Sequence, residues 1–145
     1  MMVFLRRVQM EDMDLIYEWA NDPVTRANSF QKETIPYEVH QQWFQGVMRD
    51  PEVILYILMD EQIPVGQIRI RVEGDTGEIS YSIAPEHRGK GYGRKLLSLA
   101  EESIRRDAAS VKKLIARVKP ENAVSGYLFE TEGFRKQYLE YEKEL

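Results

Sequence analysis

Three consecutive stretches in the middle of the chain carry apolar residues in the pattern of β-strands. Residues 53–59 form an almost unbroken apolar run, and the next two stretches alternate apolar with polar positions. The alternating positions are Ile68, Ile70 and Val72 in one stretch and Ile79, Tyr81 and Ile83 in the other. Turn-forming segments, residues 60–64 and 74–77, separate the three stretches. Because strands joined by such short turns run antiparallel, the middle of the chain predicts a three-stranded antiparallel meander.

The segments on either side of this meander complete the expected fold. Residues 3–7 predict an opening strand, and apolar residues recur at helical spacing over residues 11–20 and 37–49. Later segments predict a helix around Leu96, Leu97, Ala100 and Ile104, a strand over residues 114–118, a helix over 123–132 and a closing strand over 134–141. This order predicts an α/β (α+β) fold with a mixed, mostly antiparallel central sheet flanked by helices. Because the sequence shows no repeat or linker, we expect residues 1–145 to form a single domain.

The composition excludes several classes of protein. The 145 residues include no cysteine, which excludes disulfides, thiolate metal sites and a cysteine nucleophile, and two histidines leave little material for a zinc site. A net charge of −4 argues against a nucleic-acid partner. No apolar stretch approaches the roughly 20 residues that cross a bilayer, so we expect no membrane association and a cytoplasmic location.

A glycine-rich turn after the meander concentrates the chemistry of the sequence. Pro85 ends the last strand, and Gly89, Gly91 and Gly93 alternate immediately before the next helix. Glycines allow positive φ and close approach of a ligand, and a helix N-terminus offers free N–H groups to an anion. The basic side chains in the turn are Arg88, Lys90 and Arg94. The segment therefore predicts a phosphate cradle, with a flexible turn that binds nothing as the alternative.

The glycine spacing distinguishes among families that bind phosphates. Neither the Walker pattern nor the dinucleotide pattern G-x-G-x-x-G is present. Two other motifs resemble those of the GNAT acetyltransferases: Arg88-x-x-Gly91-x-Gly93 matches the R/Q-x-x-G-x-G/A signature, and Asn122-x-x-Ser125 followed by Gly133-Phe134 matches N-x-x-A/S…G-F. The resemblance extends over nearly the whole chain in element order. It implies an N-acetyltransferase that uses acetyl-CoA and has splayed fourth and fifth strands.

The same resemblance implies which residues hold acetyl-CoA. Its pyrophosphate would lie on the glycine-rich turn, and its pantetheine arm would run beside the fourth strand. The implied contacts are Ser82, Ile83, Arg88, Gly89, Lys90, Gly91, Gly93, Arg94, Asn122 and Ser125. The backbone N–H of Ile83 would also polarise the thioester carbonyl, which gives Ile83 a catalytic role.

Acid and base groups are implied less completely. Glu78 resembles the position of a water-linked carboxylate base in the family, and a solvated residue on the outer face of the strand is the alternative. The family's proton donor, a tyrosine four residues before the Gly-Phe pair, corresponds here to Phe129, which has no proton to give. Tyr127 lies about 200° away around the helix axis and cannot replace it. Ser125, water and an unassisted thiolate are the alternatives, and the general acid stays unassigned.

The N-terminal third indicates the acceptor amine. Residues 18–30 and 40–44 resemble nucleotide-sugar N-acetyltransferases that act on 4-amino-4,6-dideoxy sugars in pseudaminic-acid-type pathways. The side chains suited to the rings, phosphates and hydroxyls of such an acceptor are Trp19, Asn21, Arg26, Asn28 and Tyr81. A similar W-x-N-D-P segment occurs in GNAT enzymes that acetylate protein N-termini or small amines such as polyamines and antibiotics. Trp19 also lies on an apolar helix face, so a place in the core is the alternative to a role in binding the acceptor.

Two further alternatives concern activity and assembly. Because Phe129 replaces the usual acid, a non-catalytic acyl-CoA sensor is a third functional class. The sequence does not show the oligomeric state, and a homodimer is one assembly that it permits. With no cysteine available for an acyl-enzyme, an active protein is expected to transfer the acetyl group directly within a ternary complex.

Overall fold

Five strands form one mixed sheet in the order β1-β2-β3-β4-β5 in the computed structural model, which describes residues 2–145. The strands are β1 (Val3–Arg7), β2 (Val53–Asp60), β3 (Ile63–Glu73), β4 (Thr76–Ile83) and β5 (Lys113–Ala116). Neighbours from β1 to β4 are antiparallel, and β5 is parallel to β4. The predicted meander and the mixed, mostly antiparallel sheet are therefore confirmed.

Helices cover both faces of the sheet. They are α1 (Met13–Ala20), α2 (Pro23–Ala27), α3 (Tyr37–Arg49), α4 (Tyr92–Asp107) and α5 (Ala123–Thr131), with short 3₁₀ turns at Met10–Asp12 and Pro85–His87. The odd-numbered residues of β2 pack with α1 and α3, and the even-numbered residues pack with α4 on the other face. Because β2 is buried on both faces, its sequence is a nearly continuous apolar run.

Both hairpins of the meander are tighter than the sequence indicates. Residues 60–64 were expected to form a turn, but Asp60 pairs with Ile63 and only two residues separate β2 from β3. Pro64 therefore lies within β3, beside an irregularity in the ladder between Leu58 and Met59. A bulge of this kind accommodates a proline in a strand, since the disrupted pairing does not need its missing N–H.

The break predicted after the first helix contains a short helix of its own. Asp22 accepts a hydrogen bond from the Thr25 backbone N–H at 3.1 Å, and Pro23 occupies the first position of α2. Aspartate as N-cap and proline at the first helical position both favour helix initiation. The same residues therefore end α1 and begin α2.

The predicted closing strand over residues 134–141 is wrong, because no strand follows α5 in the described part of the chain. Phe134 packs on Phe129 with ring centroids 5.0 Å apart, and its N–H donates to the Phe129 carbonyl. The apolar residues beyond it stay in solvent, with Tyr138 70% and Tyr141 88% exposed. An edge strand that buries no apolar face has little to stabilise it against the entropy of the chain.

Candidate active site

A gap opens in the sheet between β4 and β5. The two strands pair only from Thr76 with Lys113 to Ile79 with Ala116 within the described residues, although β4 continues to Ile83. The predicted splaying of the fourth and fifth strands is therefore present. We call the open space beside residues 80–83 the β4–β5 gap.

Strand alternation determines which backbone groups face this gap. The Ala84 N–H donates to the Val65 carbonyl of the β3 side at 2.8 Å. Because successive residues of a strand direct their N–H and C=O groups to opposite sides, Ser82 also faces β3, while Tyr81 and Ile83 face the gap. The backbone of Ile83 is therefore directed as its expected role requires. Ser82 is directed away, and its Oγ accepts a hydrogen bond from Gln67 at 3.0 Å.

The glycine-rich turn leads from β4 into α4. Gly89 and Gly91 have φ angles of 76° and 83°, a region that favours glycine, and Gly91 is the N-cap of α4. A Cβ at either position would meet no atom within 4 Å among residues 2–145, apart from its chain neighbours. Both glycines therefore border open space at a helix N-terminus, which suits an anionic group.

Gly93 has a different role that its sequence pattern does not distinguish. A Cβ there would lie 2.9 Å from the Leu128 side chain of α5. The absence of a side chain at Gly93 thus permits close packing of α4 on α5. This contact places the C-terminal half of α5 beside the start of α4.

The three basic residues of the turn have different surroundings. Lys90 is exposed. Arg88 donates to Asp22 at 2.6 Å and to Thr25 Oγ1 at 3.2 Å, which connects the turn to the start of α2. Arg94 lies in an exposed ion pair with Glu132, at 2.8 Å. Of the three, Lys90 presents its charge most directly to solvent and to an incoming anion.

Replacing Asp22 by Asn is expected to lower the free energy of unfolding by about 0.5–1.5 kcal/mol at pH 7. Asparagine still caps α2, so the loss reports the Arg88 pair. Burial opposes ionisation of Asp22, but hydrogen bonds from Arg88 and from the Thr25 amide outweigh it and lower its pKa. As the pH falls below 3.8, the ordinary pKa of an aspartate, the unfolded state therefore binds more protons at Asp22 than the folded state does. Chemical unfolding across pH should show the wild-type advantage shrinking there, and an advantage that grows on acidification would contradict this assignment.

Glu78 lies in the paired part of β4, opposite Ile115. Its Oε1 accepts a hydrogen bond from Arg117 at 2.6 Å, and its charge, together with hydrogen bonding, raises the pKa of Arg117. The Glu78 side chain is 38% exposed. Water can reach this carboxylate, but if Glu78 acts as a base, one of its oxygens is already hydrogen-bonded to the guanidinium of Arg117.

At the start of α5, a hydroxyl group of the helix meets a hydroxyl group from β4. Asn122 accepts the Ser125 backbone N–H at 3.3 Å, so its carbonyl oxygen caps the helix. Tyr81 extends from β4 so that its hydroxyl lies 2.8 Å from Ser125 Oγ. Phe129 is buried and contacts the Tyr81 ring edge-on, with centroids 5.7 Å apart. The structure thus brings Tyr81, Ser125 and Asn122 together beside the β4–β5 gap.

Most of the residues expected to bind the acceptor make internal contacts instead. Trp19 is 5% exposed and lies in the core formed by α1, α3 and β2. The Asn21 amide both donates to and accepts from the backbone of Ile35, at 3.0 and 2.8 Å. The Arg26 side chain donates to the carbonyls of residues 31 and 33. Asn28 and Tyr81 are half-buried, and the Tyr81 hydroxyl is engaged by Ser125.

Lys119 is a site-adjacent residue that sequence patterns did not identify. Its Nζ donates to the carbonyls of Ala27 and Ser29, at 3.2 and 2.9 Å. These bonds connect the segment after β5 to the end of α2, over 90 residues earlier in the chain. Because they depend on tertiary proximity, no local motif indicates them. Asp22, by contrast, precedes a proline in a recognisable helix-start pattern.

The fold and the β4–β5 gap are those of a known class of acyltransferases. A profile of the acetyltransferase (GNAT) domain matches residues 3–135, and the chain belongs to that family.

Two curated relatives are similar in sequence. An uncharacterized N-acetyltransferase of Bacillus subtilis is 29% identical over 94 residues, which cover 64% of this chain and 62% of the relative. An uncharacterized protein of Methanocaldococcus jannaschii is 29% identical over 140 residues, which cover 92% of this chain and 28% of the relative. The chain therefore spans less than two thirds of either protein.

Solved structures share the whole architecture. A domain from Methanocaldococcus jannaschii superposes with a TM-score of 0.82 at 26% identity, covering 94% of this chain and 90% of that one. The Vibrio cholerae spermidine N-acetyltransferase, solved with CoA and spermine, gives 0.86 at 21% identity and covers 94% and 82%. An aminoglycoside acetyltransferase solved with coenzyme A gives 0.79 at 23%, covering 94% and 86%.

Two classes of feature are absent from residues 2–145. None of their helices is long and apolar enough to cross a membrane. The same residues contain no group of three or more His, Asp or Glu side chains arranged to hold a metal ion.

Proposed function

We propose that this chain is an acetyl-CoA-dependent N-acetyltransferase domain that acts on a primary amine of a small molecule. The observation that carries the proposal is the β4–β5 gap, lined by the backbone of Tyr81 and Ile83 and adjoining a glycine-rich turn at the start of α4. Family membership and the neighbours solved with CoA support it. We propose that residues 1–145 act as one catalytic domain.

The residues present fit acetyl-CoA. Gly89 and Gly91 border space that a side chain would occupy, and the α4 N-terminus and Lys90 supply positive charge for the pyrophosphate. The backbone of Tyr81 and Ile83 can pair with the amides of a pantetheine arm. When bound, acetyl-CoA supplies an acyl group activated as a thioester. The N–H of Ile83 would donate to the carbonyl oxygen of that group.

We propose direct transfer to the acceptor, because the sequence has no cysteine to carry the acyl group. The protein would contribute mainly by holding both substrates together, an effect worth several kcal/mol. Glu78 is our proposed base, acting through water because its carboxylate is shared with Arg117. Deprotonation matters because a primary amine with a pKa near that of lysine is almost fully protonated at neutral pH.

Two classes of small acceptor follow from different observations. The resemblance of the N-terminal segment supports the 4-amino group of a nucleotide-linked amino-dideoxy sugar. Neighbours solved with spermine or aminoglycosides support a polyamine or an aminoglycoside. The internal contacts of Trp19, Asn21 and Arg26 weaken the first without contradicting it. The bonds from Lys119 to the end of α2 hold the acceptor side together, which supports a small molecule over an extended peptide.

Release of free CoA from acetyl-CoA tests both the activity and the acceptor. The panel holds nucleotide-linked 4-amino sugars, spermidine and spermine, aminoglycosides and short peptides. Turnover confined to one class identifies the acceptor, and turnover with peptides alone would contradict the small-molecule proposal. Tight acetyl-CoA binding without turnover would instead favour an acyl-CoA sensor. Protein carrying Gly91→Val, purified in the same way, controls for a contaminating enzyme.

A further inference from the structure

The helix position at which family resemblance expects a hydroxyl carries Phe129. This side chain is 6% exposed and packs between Tyr81 and Phe134, so it leaves no room there for another proton donor. Two hydroxyl groups belong to its surroundings, that of Tyr81, whose ring contacts Phe129, and that of Ser125, one turn earlier in α5. Their oxygens lie 2.8 Å apart, and either can be the donor.

The two hydroxyls together carry one proton that their mutual hydrogen bond does not use. Each hydroxyl carries a single proton, and the bond between the two uses one of them. If Tyr81 donates to Ser125, the Ser125 proton is free; if Ser125 donates, the Tyr81 proton is free. Burial raises the pKa of Tyr81, and the hydrogen bond with Ser125 only partly opposes this, so the phenol stays protonated at neutral pH.

The pair also lies in the right part of the fold. Tyr81 directs its backbone into the β4–β5 gap, and its ring reaches to within 4.0 Å of the position of a Cβ on Gly93, at the start of α4. Ser125 lies in the first turn of α5, held by the Asn122 cap. Both side chains are half-buried, so a group in the gap can approach them without unfolding the site. The pair thus includes a side chain that borders the gap and lies near the start of α4.

We propose that the Tyr81–Ser125 hydroxyl pair is the proton donor for the departing thiolate of CoA, in the role that the family assigns to the residue replaced here by Phe129. This inference rests on the proposed function. As the new C–N bond forms and the C–S bond breaks, the C–S electron pair stays on sulfur, which takes the free hydroxyl proton. The proton released by the acceptor amine passes to water, and the pair regains its own proton from solvent.

The ionisation of CoA thiol bound to the protein tests the proposal without turnover. A free thiol has a pKa of about 8.5, and a hydrogen-bond donor beside sulfur lowers it. The acidity of the bound CoA thiol is measured from thiolate absorbance as a function of pH. The thiol should be at least about tenfold less acidic in complexes with Tyr81→Phe/Ser125→Ala than in complexes with wild type. Because only one of the two hydroxyls can lie directly beside the sulfur, the single variant that causes most of the change identifies the donor. The kcat of acetyl transfer should fall in the same variants.

Tyr127→Phe is the matched control, because it removes a tyrosine hydroxyl from α5 that is 75% exposed. It should leave the thiol ionisation and kcat unchanged. If the double variant unfolds, the single variants give the same comparison with smaller changes in packing. An unchanged thiol pKa in folded variants that bind CoA would overturn the proton donor and leave the proposed function standing. Failure of wild-type protein to bind CoA by calorimetry would overturn the proposed function itself.

Discussion

Ile83→Pro is expected to lower the kcat of acetyl transfer by about 100- to 1,000-fold, the usual consequence of losing one oxyanion donor. Proline removes the backbone N–H that we assign to the thioester carbonyl. Because this N–H faces the β4–β5 gap, its loss removes no ladder bond to β3. Acetyl-CoA affinity should therefore change much less than kcat. Single-turnover kinetics and calorimetry separate the two quantities.

Two comparisons make this result interpretable. Ile83→Val keeps the N–H and removes one methylene, so it should retain most of the activity while reporting the cost of packing beside Gly66. Ser82→Pro removes an N–H that faces β3 and should instead destabilise the fold, which thermal unfolding would detect. Wild-type kcat in a folded Ile83→Pro variant would show that the carbonyl is polarised elsewhere. Tyr81, whose N–H faces the same gap, would then be the next candidate.

The local patterns of the sequence predict most of the sheet. The apolar run of β2 indicates a strand buried on both faces, and alternation in β3 and β4 indicates the meander. The segment 134–141 was also predicted to be a strand, yet it is not one. What separates the two cases is burial, since Tyr138 and Tyr141 are mostly exposed and β2 lies between two layers of helices. Burial depends on tertiary structure, which a local pattern does not contain.

The sequence predicts the backbone features of the candidate site, but it does not predict which side chains are hydrogen-bonded to one another there. The turn and the helix start depend on glycines, which a sequence carries locally, whereas the gap was expected only from the resemblance to the GNAT family. The partners of Arg88 and Glu78 lie 66 and 39 residues away in the chain. Arg88 was predicted to hold acetyl-CoA and Glu78 to act as a base, and each is already hydrogen-bonded within the protein. The Tyr81–Ser125 pair, separated by 44 residues, is invisible in the sequence for the same reason.

Gly91→Val is expected to weaken acetyl-CoA binding by at least about 100-fold, which corresponds to about 2.7 kcal/mol. Gly91 has a φ of 83°, where a β-branched residue is strained, and a side chain there would enter the open space assigned to the pyrophosphate. Strain of the turn and loss of space both act against binding. Calorimetric titration with acetyl-CoA measures the affinity, and thermal unfolding measures how much of the effect reaches the fold.

Gly91→Asn separates the two causes, because asparagine tolerates the left-handed conformation better than other residues with a side chain. If occupied space is the main cause, both variants lose affinity; if strain is the main cause, only Gly91→Val does. Gly46→Ala is the control, since Gly46 is exposed within α3 and a Cβ there meets nothing within 4 Å among residues 2–145. It should stabilise the protein by about 0.5–1 kcal/mol and leave binding unchanged. Wild-type affinity in both Gly91 variants would mean that the turn only caps α4, and the cofactor site would have to be sought elsewhere.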